Sequence, residues 1–443
     1  MIGSLVLWSC LFATAVNVKA APSGEVPEIL SMQERARLRD RWLADRLDTV
    51  VPMLMRREGI DCWVLVAREY NEDPVVETML PATWLAARRR TILVFHDGGS
   101  ERGVQRYAVA RYAVGDLFPR AWDKEQQPDQ WKCLGDLLRE LSPERIALNV
   151  SPDFALADGL SHGEHGQLQA ALGPELRKRI VSGEGLAVGW LEMRTPMELE
   201  FFPTICRIAH EIITEGFAWV TPGQTTTTDL EWWYRERVVE LKLGTWFHPS
   251  VSVQRHEAHE HSGSFASRPE GELIRRGDLV HLDFGITYLG LNTDTQQHAY
   301  VLREGEENAP EGLRKGLEIG NRLQDILMAN FVLGRSGNRI LRATIEEARS
   351  EGIDPTIYTH PLGFHGHGAG PTIGLWDQQG GVAGRGDYPL HASTAYSIEL
   401  NAAVPVDGWS GQVVRIMLEE DAFFDGKKTR FLDGRQTEFF LIR

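Results

Sequence analysis

Residues 278–302 read DLVHLDFGITYLGLNTDTQQHAYVL. Val280, Leu282, Phe284 and Ile286 alternate with His281, Asp283 and Gly285, the period of two expected of a strand with one apolar and one polar face. A turn near Gly290 sends the chain back through Asp294, closing a hairpin. With the hairpin centred on Tyr288 and Leu289, Asp283 and Asp294 face each other directly, with Cβ atoms about 5 Å apart. Two carboxylates so placed inside a domain repel, and need either a proton or a cation between them. Two solvated turn aspartates are the plain alternative, so the remainder of the chain has to decide.

Working outward, the second half is rich in imidazole: ten of the 14 histidines lie between His248 and His391. Residues 363–370, GFHGHGAG, flank His365 and His367 with glycines that let backbone approach closely while an imidazole turns inward. Imidazole suits a divalent transition metal, although a hydrogen-bonded loop histidine is the commoner case. Residues 394–401, TAYSIELN, set Glu399 in a strand-like run, and residues 413–424, VVRIMLEEDAFF, set Glu419 and Glu420 between apolar stretches. Glu419 shares strand parity with Arg415, which selects it over Glu420 as the inward acid. Acids in buried strands are rarely idle.

In this order, two aspartates eleven residues apart, a GHGxG histidine, a strand glutamate and a final glutamate, the chain resembles the pita-bread metallopeptidases. These include aminopeptidase P, prolidase and methionine aminopeptidase, with creatinase a metal-free relative. The resemblance covers about residues 190–443, and the preceding segment suits the N-terminal domain of aminopeptidase P and prolidase. It implies that Asp283 chelates one metal, His367 and Glu399 the other, and that Asp294 and Glu419 bridge both. Four carboxylates balance two divalent cations, with Mn favoured by the oxygen-rich donors and Co or Zn able to substitute. Glu399 is then the proton acceptor, His261 a further catalytic group and His365 a substrate contact, or a rival to His367 as ligand. The implied activity is hydrolysis of short peptides, of the Xaa-Pro aminopeptidase type, by a homodimer. A prolidase-like dipeptidase and a peptide-binding pseudoenzyme are the alternatives.

The chain departs from the family where substrate is recognised. A second family histidine, about seven residues after the metal histidine, is replaced by Gly374, or by Trp376 if the following glycines set the alignment. His256, His259 and His261 compete for the upstream family position, and an arginine usual three residues after the second aspartate is Gln297. Two other motifs lead nowhere. His256, His259 and His261 lack the i, i+4 spacing of a zinc-binding helix. Gly159-Leu160-Ser161-His162-Gly163 matches a serine nucleophile elbow but has no buried strand before it.

Length and composition frame these readings. The 443 residues carry 47 basic and 62 acidic side chains, a net charge of -15. That argues for two or three domains and against nucleic acid or an anionic membrane as the main partner. Residues 1–20 hold no acid, an apolar run and a Val-Lys-Ala ending, the pattern of a cleaved secretory signal, so export to the periplasm or medium is expected. No other segment reads as a membrane span. Of the four cysteines Cys10 leaves with the signal, and the remaining Cys62, Cys133 and Cys206 are odd in number and widely spaced, which fits small buried apolar residues better than a disulfide framework.

The expected fold is therefore an α/β N-terminal domain over residues 28–187 and a C-terminal α+β pita-bread domain over residues 188–443. An amphipathic helix over 32–57 opens the first, followed by strands near 62–66, 91–95, 107–112 and 145–150. Thr195-Pro196-Met197-Glu198 combines a capping box with proline at the first helical position, starting a long helix that Pro203 bends or divides. Thr228 caps the next.

Overall fold

The structure is a computed structural model describing residues 25–256 and 271–443; the leader-like residues 1–20 and both His259 and His261 lie outside it. Its first helix, Met32–Glu58, starts at a Ser31–Glu34 capping box and ends at Gly59 in the left-handed conformation. Five strands follow: β1 (Cys62–Arg68), β2 (Arg90–Asp97), β3 (Val104–Val109), β4 (Ile146–Leu148) and β5 (Ile180–Ser182). They form one mixed sheet in the order β3-β2-β1-β4-β5, with β1–β2 and β2–β3 antiparallel and β1–β4 and β4–β5 parallel. Alternate residues of β1 serve two cores. Trp63 and Leu65 join Leu54 and Met55 of the first helix, while Val64 and Val66 join Leu134 and Leu138 of the helix Gln130–Leu141. Burial on both faces explains the unbroken apolar run of the strand. The helix Glu184–Glu192 packs into the same core through Leu186, Trp190 and Leu191, so the division expected at 187/188 falls inside it.

Thr195 forms its capping box with Glu198, and the helix Pro196–Leu199 is separate from Phe202–Trp219, where Pro203 occupies the first turn. The next helix, Thr227–Glu240, is capped by Thr226 rather than Thr228, because Asp229 completes the reciprocal bonds with Thr226. Three sheets then build the second domain. The first has the order β18-β10-β7-β6, from β6 (Ser250–Gln254), β7 (Leu279–Phe284), β10 (Thr295–Val301) and β18 (Phe440–Ile442). The second is β11-β14-β15, from β11 (Asp354–Ile357), β14 (Leu400–Val406) and β15 (Gln412–Leu418). The third is β12-β13-β16-β17, from β12 (His360–Leu362), β13 (Thr394–Ser397), β16 (Asp421–Phe424) and β17 (Thr429–Phe431). A two-stranded ribbon of β8 (Thr287–Tyr288) and β9 (Leu291–Asn292) extends the β7–β10 hairpin. The helices Phe202–Trp219 and Thr227–Glu240 share one core with β6 and β7; Glu311–Ala329 and Gly337–Ser350 share the other with β14 and β15. Among the described residues no helix is long and apolar enough to cross a membrane.

Candidate metal centre

Each acid of the expected set sits at a strand end or between two strands. Asp283 lies near the end of β7 and Asp294 immediately before β10. Glu399 stands between β13 and β14, and Glu419 between β15 and β16, where the chain leaves one sheet for another. An isolated antiparallel bridge between Gln296 and Glu419 ties the first sheet to that second crossing. The hairpin register differs from expectation: Asp283 pairs with Gln296, not Asp294. Its turn is centred on Leu289 and Gly290, both left-handed at φ 57° and 82°. Moving the centre by one residue moves the cross-strand partner by two, so Asp294 stays on the face of Asp283 as its diagonal neighbour.

Three overlapping triads result, each with one ligand atom per residue and all three atoms within 4.8 Å of one another: Asp283, Asp294 and Glu419; His360, Glu399 and Glu419; and Asp294, His360 and His367. His360 Nε2 lies 3.5 Å from Asp294 Oδ2 and 3.6 Å from Glu419 Oε1. These separations are too long for good hydrogen bonds, and match two donors that share one ion at about 2.1 Å each. The acids have few donors of their own. Gln296 Nε2 donates to Glu399 Oε1 at 2.7 Å and to Glu419 Oε2 at 2.6 Å, and the Ser397 hydroxyl donates to Glu419. Asp294 Oδ1 and His360 Nε2 are sealed from solvent with no hydrogen-bond partner among the described residues. Burial, reinforced by Glu419, pushes the carboxyls of Asp294 and Glu399 well above the usual range. For His360, burial opposes the charged form, but Glu419 and then Glu399 outweigh it and raise the pKa. Orphaned donors in a clustered, oxygen-rich set fit divalent cations, with Asp294 and Glu419 each shared between two triads.

His360 is the residue that sequence reading passed over. It is 3% exposed and belongs to two triads, whereas His367 belongs to one and lies open at the mouth. His367 Nε2 is 3.2 Å from the Tyr358 hydroxyl, and burial lowers its pKa to about 4, so it is a neutral imidazole. Tyr358, also missed, and Trp376 line the chamber of the acids, whose volume is about 240 Å³. His365 lines a second cavity instead, between the two domains. His256 stacks near Trp409, away from the acids. Gln297 donates to Glu420, which faces away from the cluster onto His210. Cys206 is buried but not simply apolar: its thiol donates to Asp421, which accepts the backbone N–H of Asp294 through its other oxygen. The three described cysteines are free, and Ser161 of the elbow-like motif merely caps the helix His162–Ala171.

Fold and site together define a two-domain protein with a carboxylate-rich centre suited to metal. Residues 201–421 match the model of metallopeptidase family M24, and the C-terminal half of the chain belongs to that family. Three solved structures share the fold across both domains. An X-Pro aminopeptidase from Thermotoga maritima MSB8 is 17% identical with a TM-score of 0.62, covering 88% of this chain and 100% of its own. An Xaa-Pro dipeptidase from Bacillus anthracis is 15% identical with a TM-score of 0.57, covering 93% and 100%. The dipeptidase PepE from Mycobacterium ulcerans is 17% identical with a TM-score of 0.58, covering 92% and 98%. Such low identities establish the architecture alone. No curated protein matches the chain in sequence.

Proposed function

We propose that this chain is an exported dinuclear metallopeptidase acting on short peptides, an aminopeptidase of the Xaa-Pro type. The observation that carries the reading is the pair of buried, partnerless donors, Asp294 Oδ1 and His360 Nε2, within a cluster of four carboxylates. Asp283 would hold one ion, His360 and Glu399 the other, and Asp294 and Glu419 both. Bound ions, Mn first given the oxygen-rich set, supply Lewis-acid polarisation of the peptide carbonyl and an acidified water. Glu399 takes the proton of the attacking water and returns it to the leaving amine, with Gln296 holding its carboxylate in place. Tyr358 keeps its phenolic proton because burial raises its pKa, and is a hydrogen-bond donor at the mouth beside the neutral His367. In this arrangement His360 takes the ligand role and His367 faces substrate.

The test is elemental analysis of the purified protein together with hydrolysis of Xaa-Pro peptides, Xaa-Pro dipeptides and non-proline peptides. About two ions per chain and cleavage of Xaa-Pro peptides are expected; Asp283→Ala and Glu399→Ala should each lose an ion and abolish cleavage. Variants that cleave as fast as the parent would end the metal-hydrolase reading, and turnover of non-proline peptides alone would end the Xaa-Pro assignment. His360→Ala should lose an ion while His367→Ala retains both. Export is checked by cell fractionation and the N-terminal sequence of the mature chain.

A further inference from the structure

The chamber of the acids does not end at its own walls. Trp246 and His367 line both it and the interdomain cavity of about 500 Å³, within the range of small-ligand sites. The walls of that cavity are apolar, with Trp42, Leu43 and Leu80 from the first domain and Leu289 and Phe364 from the second. Four charged residues line it besides the histidines, and two of them, Arg46 and Glu198, are paired with each other at 3.0 Å. Arg39 has no acceptor among the described residues. Neighbouring Asp40 accepts the Ala82 N–H at 2.7 Å through one oxygen and interacts with Arg39 through its charge, without a direct contact. The Arg39 guanidinium rests on the hairpin turn of the second domain, where a Cβ on Gly290 would lie only 3.3 Å from Arg39 Nε. Arg39 is exposed and lines the cavity. The remaining charged residue on its wall is Glu77.

We propose that the interdomain cavity is the subsite for the carboxyl-terminal part of the substrate, with Arg39 binding its free α-carboxylate. This rests on the peptidase reading and narrows it: the substrate is a short peptide with a free carboxyl terminus and apolar residues beyond the cleaved bond. Its amino-terminal residue occupies the 240 Å³ chamber beside the acids, and the chain runs past Trp246 and His367 towards Arg39.

The experiment compares Ala-Pro-Leu with its carboxyl-terminal amide on the metal-loaded protein, in the parent, Arg39→Met and Arg39→Lys. Hydrogen bonds to a charged group are worth about 1.5–3 kcal/mol, or roughly 10- to 150-fold. The parent should favour the acid over the amide by that factor in kcat/KM, mostly through KM. Arg39→Met should lose the preference, its kcat/KM falling by that factor more for the acid than for the amide, and Arg39→Lys should restore part of it. Calorimetric binding of both peptides to chelator-treated full-length protein separates the two readings. Cleavage with no acid preference, or equal losses for acid and amide in Arg39→Met, overturns the subsite and leaves the peptidase standing. Binding that favours the acid through Arg39 without any cleavage upholds the subsite and overturns the peptidase. A protein that neither binds nor cleaves either peptide overturns both.

Discussion

Two buried charge clusters in this protein are built on opposite principles. At the domain junction Glu198 lies between Arg46 and Arg194, all three about 1% exposed or less. Its oxygens lie 3.0 Å and 3.4 Å from the two guanidinium groups. The second positive charge is absorbed locally: Arg46 donates to the carbonyls of Trp190 and Met193, Arg194 to that of Leu191, and both stack on the Phe364 ring at 4.8 Å and 4.5 Å. Burial lowers the Arg194 pKa only to about 10, so it stays charged at neutral pH. Among the described residues the acid cluster has four carboxylates, an amide, a hydroxyl and the imidazole of His360, with no arginine or lysine ligand. The junction carries its own full countercharge, whereas one imidazole cannot balance four carboxylates. Buried charge in excess of the countercharge in the chain implies more from solution.

The sharpest way to break this contrast is to remove one acid from the cluster. Asp294→Asn should lower kcat/KM by about three orders of magnitude or more, since the polarisation at stake is worth several kcal/mol. Its effect on stability should change sign with metal. In chelator the substitution relieves repulsion and raises the melting temperature, whereas with metal the parent is the more stable because bound ions favour the folded state. Denaturation of parent and variant with and without chelator checks it; destabilisation in both conditions would mean the cluster is balanced without ions.

The junction should respond the other way. Arg46→Met leaves Glu198 buried beside one guanidinium at a poorer distance, and a loss of about 3–5 kcal/mol is expected in denaturant unfolding. Arg46→Met combined with Glu198→Met should recover much of that loss, because the uncompensated acid is gone too. Metal should change neither value. A double variant as unstable as the single would show that the ring and carbonyl contacts of Arg46, rather than the ion pair, hold the junction.

The first domain offers an intermediate case in Asp73, a buried acid supplied with neutral donors only: the N–H groups of Val75 and Val76 and the amide of Asn149. Burial outweighs them, raising its pKa from 3.8 to about 6. The folded chain therefore holds this proton to higher pH than the unfolded chain. From this group stability is greatest below the unfolded value and falls as pH rises through the folded one. Asn149→Ala should cost about 1–3 kcal/mol at pH 7 and less below pH 6, where Asp73 is neutral. Stability curves at pH 5 and pH 7 test this, and an equal loss at both would remove Asp73 from the account.

The same contrast shows what the sequence could and could not reveal. The acids were legible because alternation in 278–302 and the apolar runs around Glu399 and Glu419 place each on a strand, and strand parity survives a register error of two. The left-handed Leu289 that caused that error has no signature, since leucine rarely adopts such a conformation. The histidine was obscured by glycines that serve another purpose. A Cβ on Gly366 would meet the Trp246 ring at 2.1 Å, and one on Gly368 the Pro361 carbonyl at 2.8 Å. They allow close packing of the loop rather than marking its ligand. His360, in a three-residue strand before a proline, has no local pattern at all, and only the pairing of β12 with β13 carries it to the acids.

The finest test concerns a neutral donor inside the starved cluster. Ser397 donates to Glu419, one of very few groups that solvate these acids in place of water. Removing a partner from a buried charged acceptor costs about 1.5–3 kcal/mol when nothing replaces it. A cation bound at Glu419 is such a replacement, so Ser397→Ala should destabilise the chelator-treated protein by about 1–2 kcal/mol and the metal-loaded protein by much less. Steady-state kinetics at saturating metal should then change by less than about tenfold, since the serine supports the acid and not the reacting atoms. If the loss of stability is the same with and without metal, the hydroxyl acts through packing alone, and Glu419 is not where the missing countercharge binds.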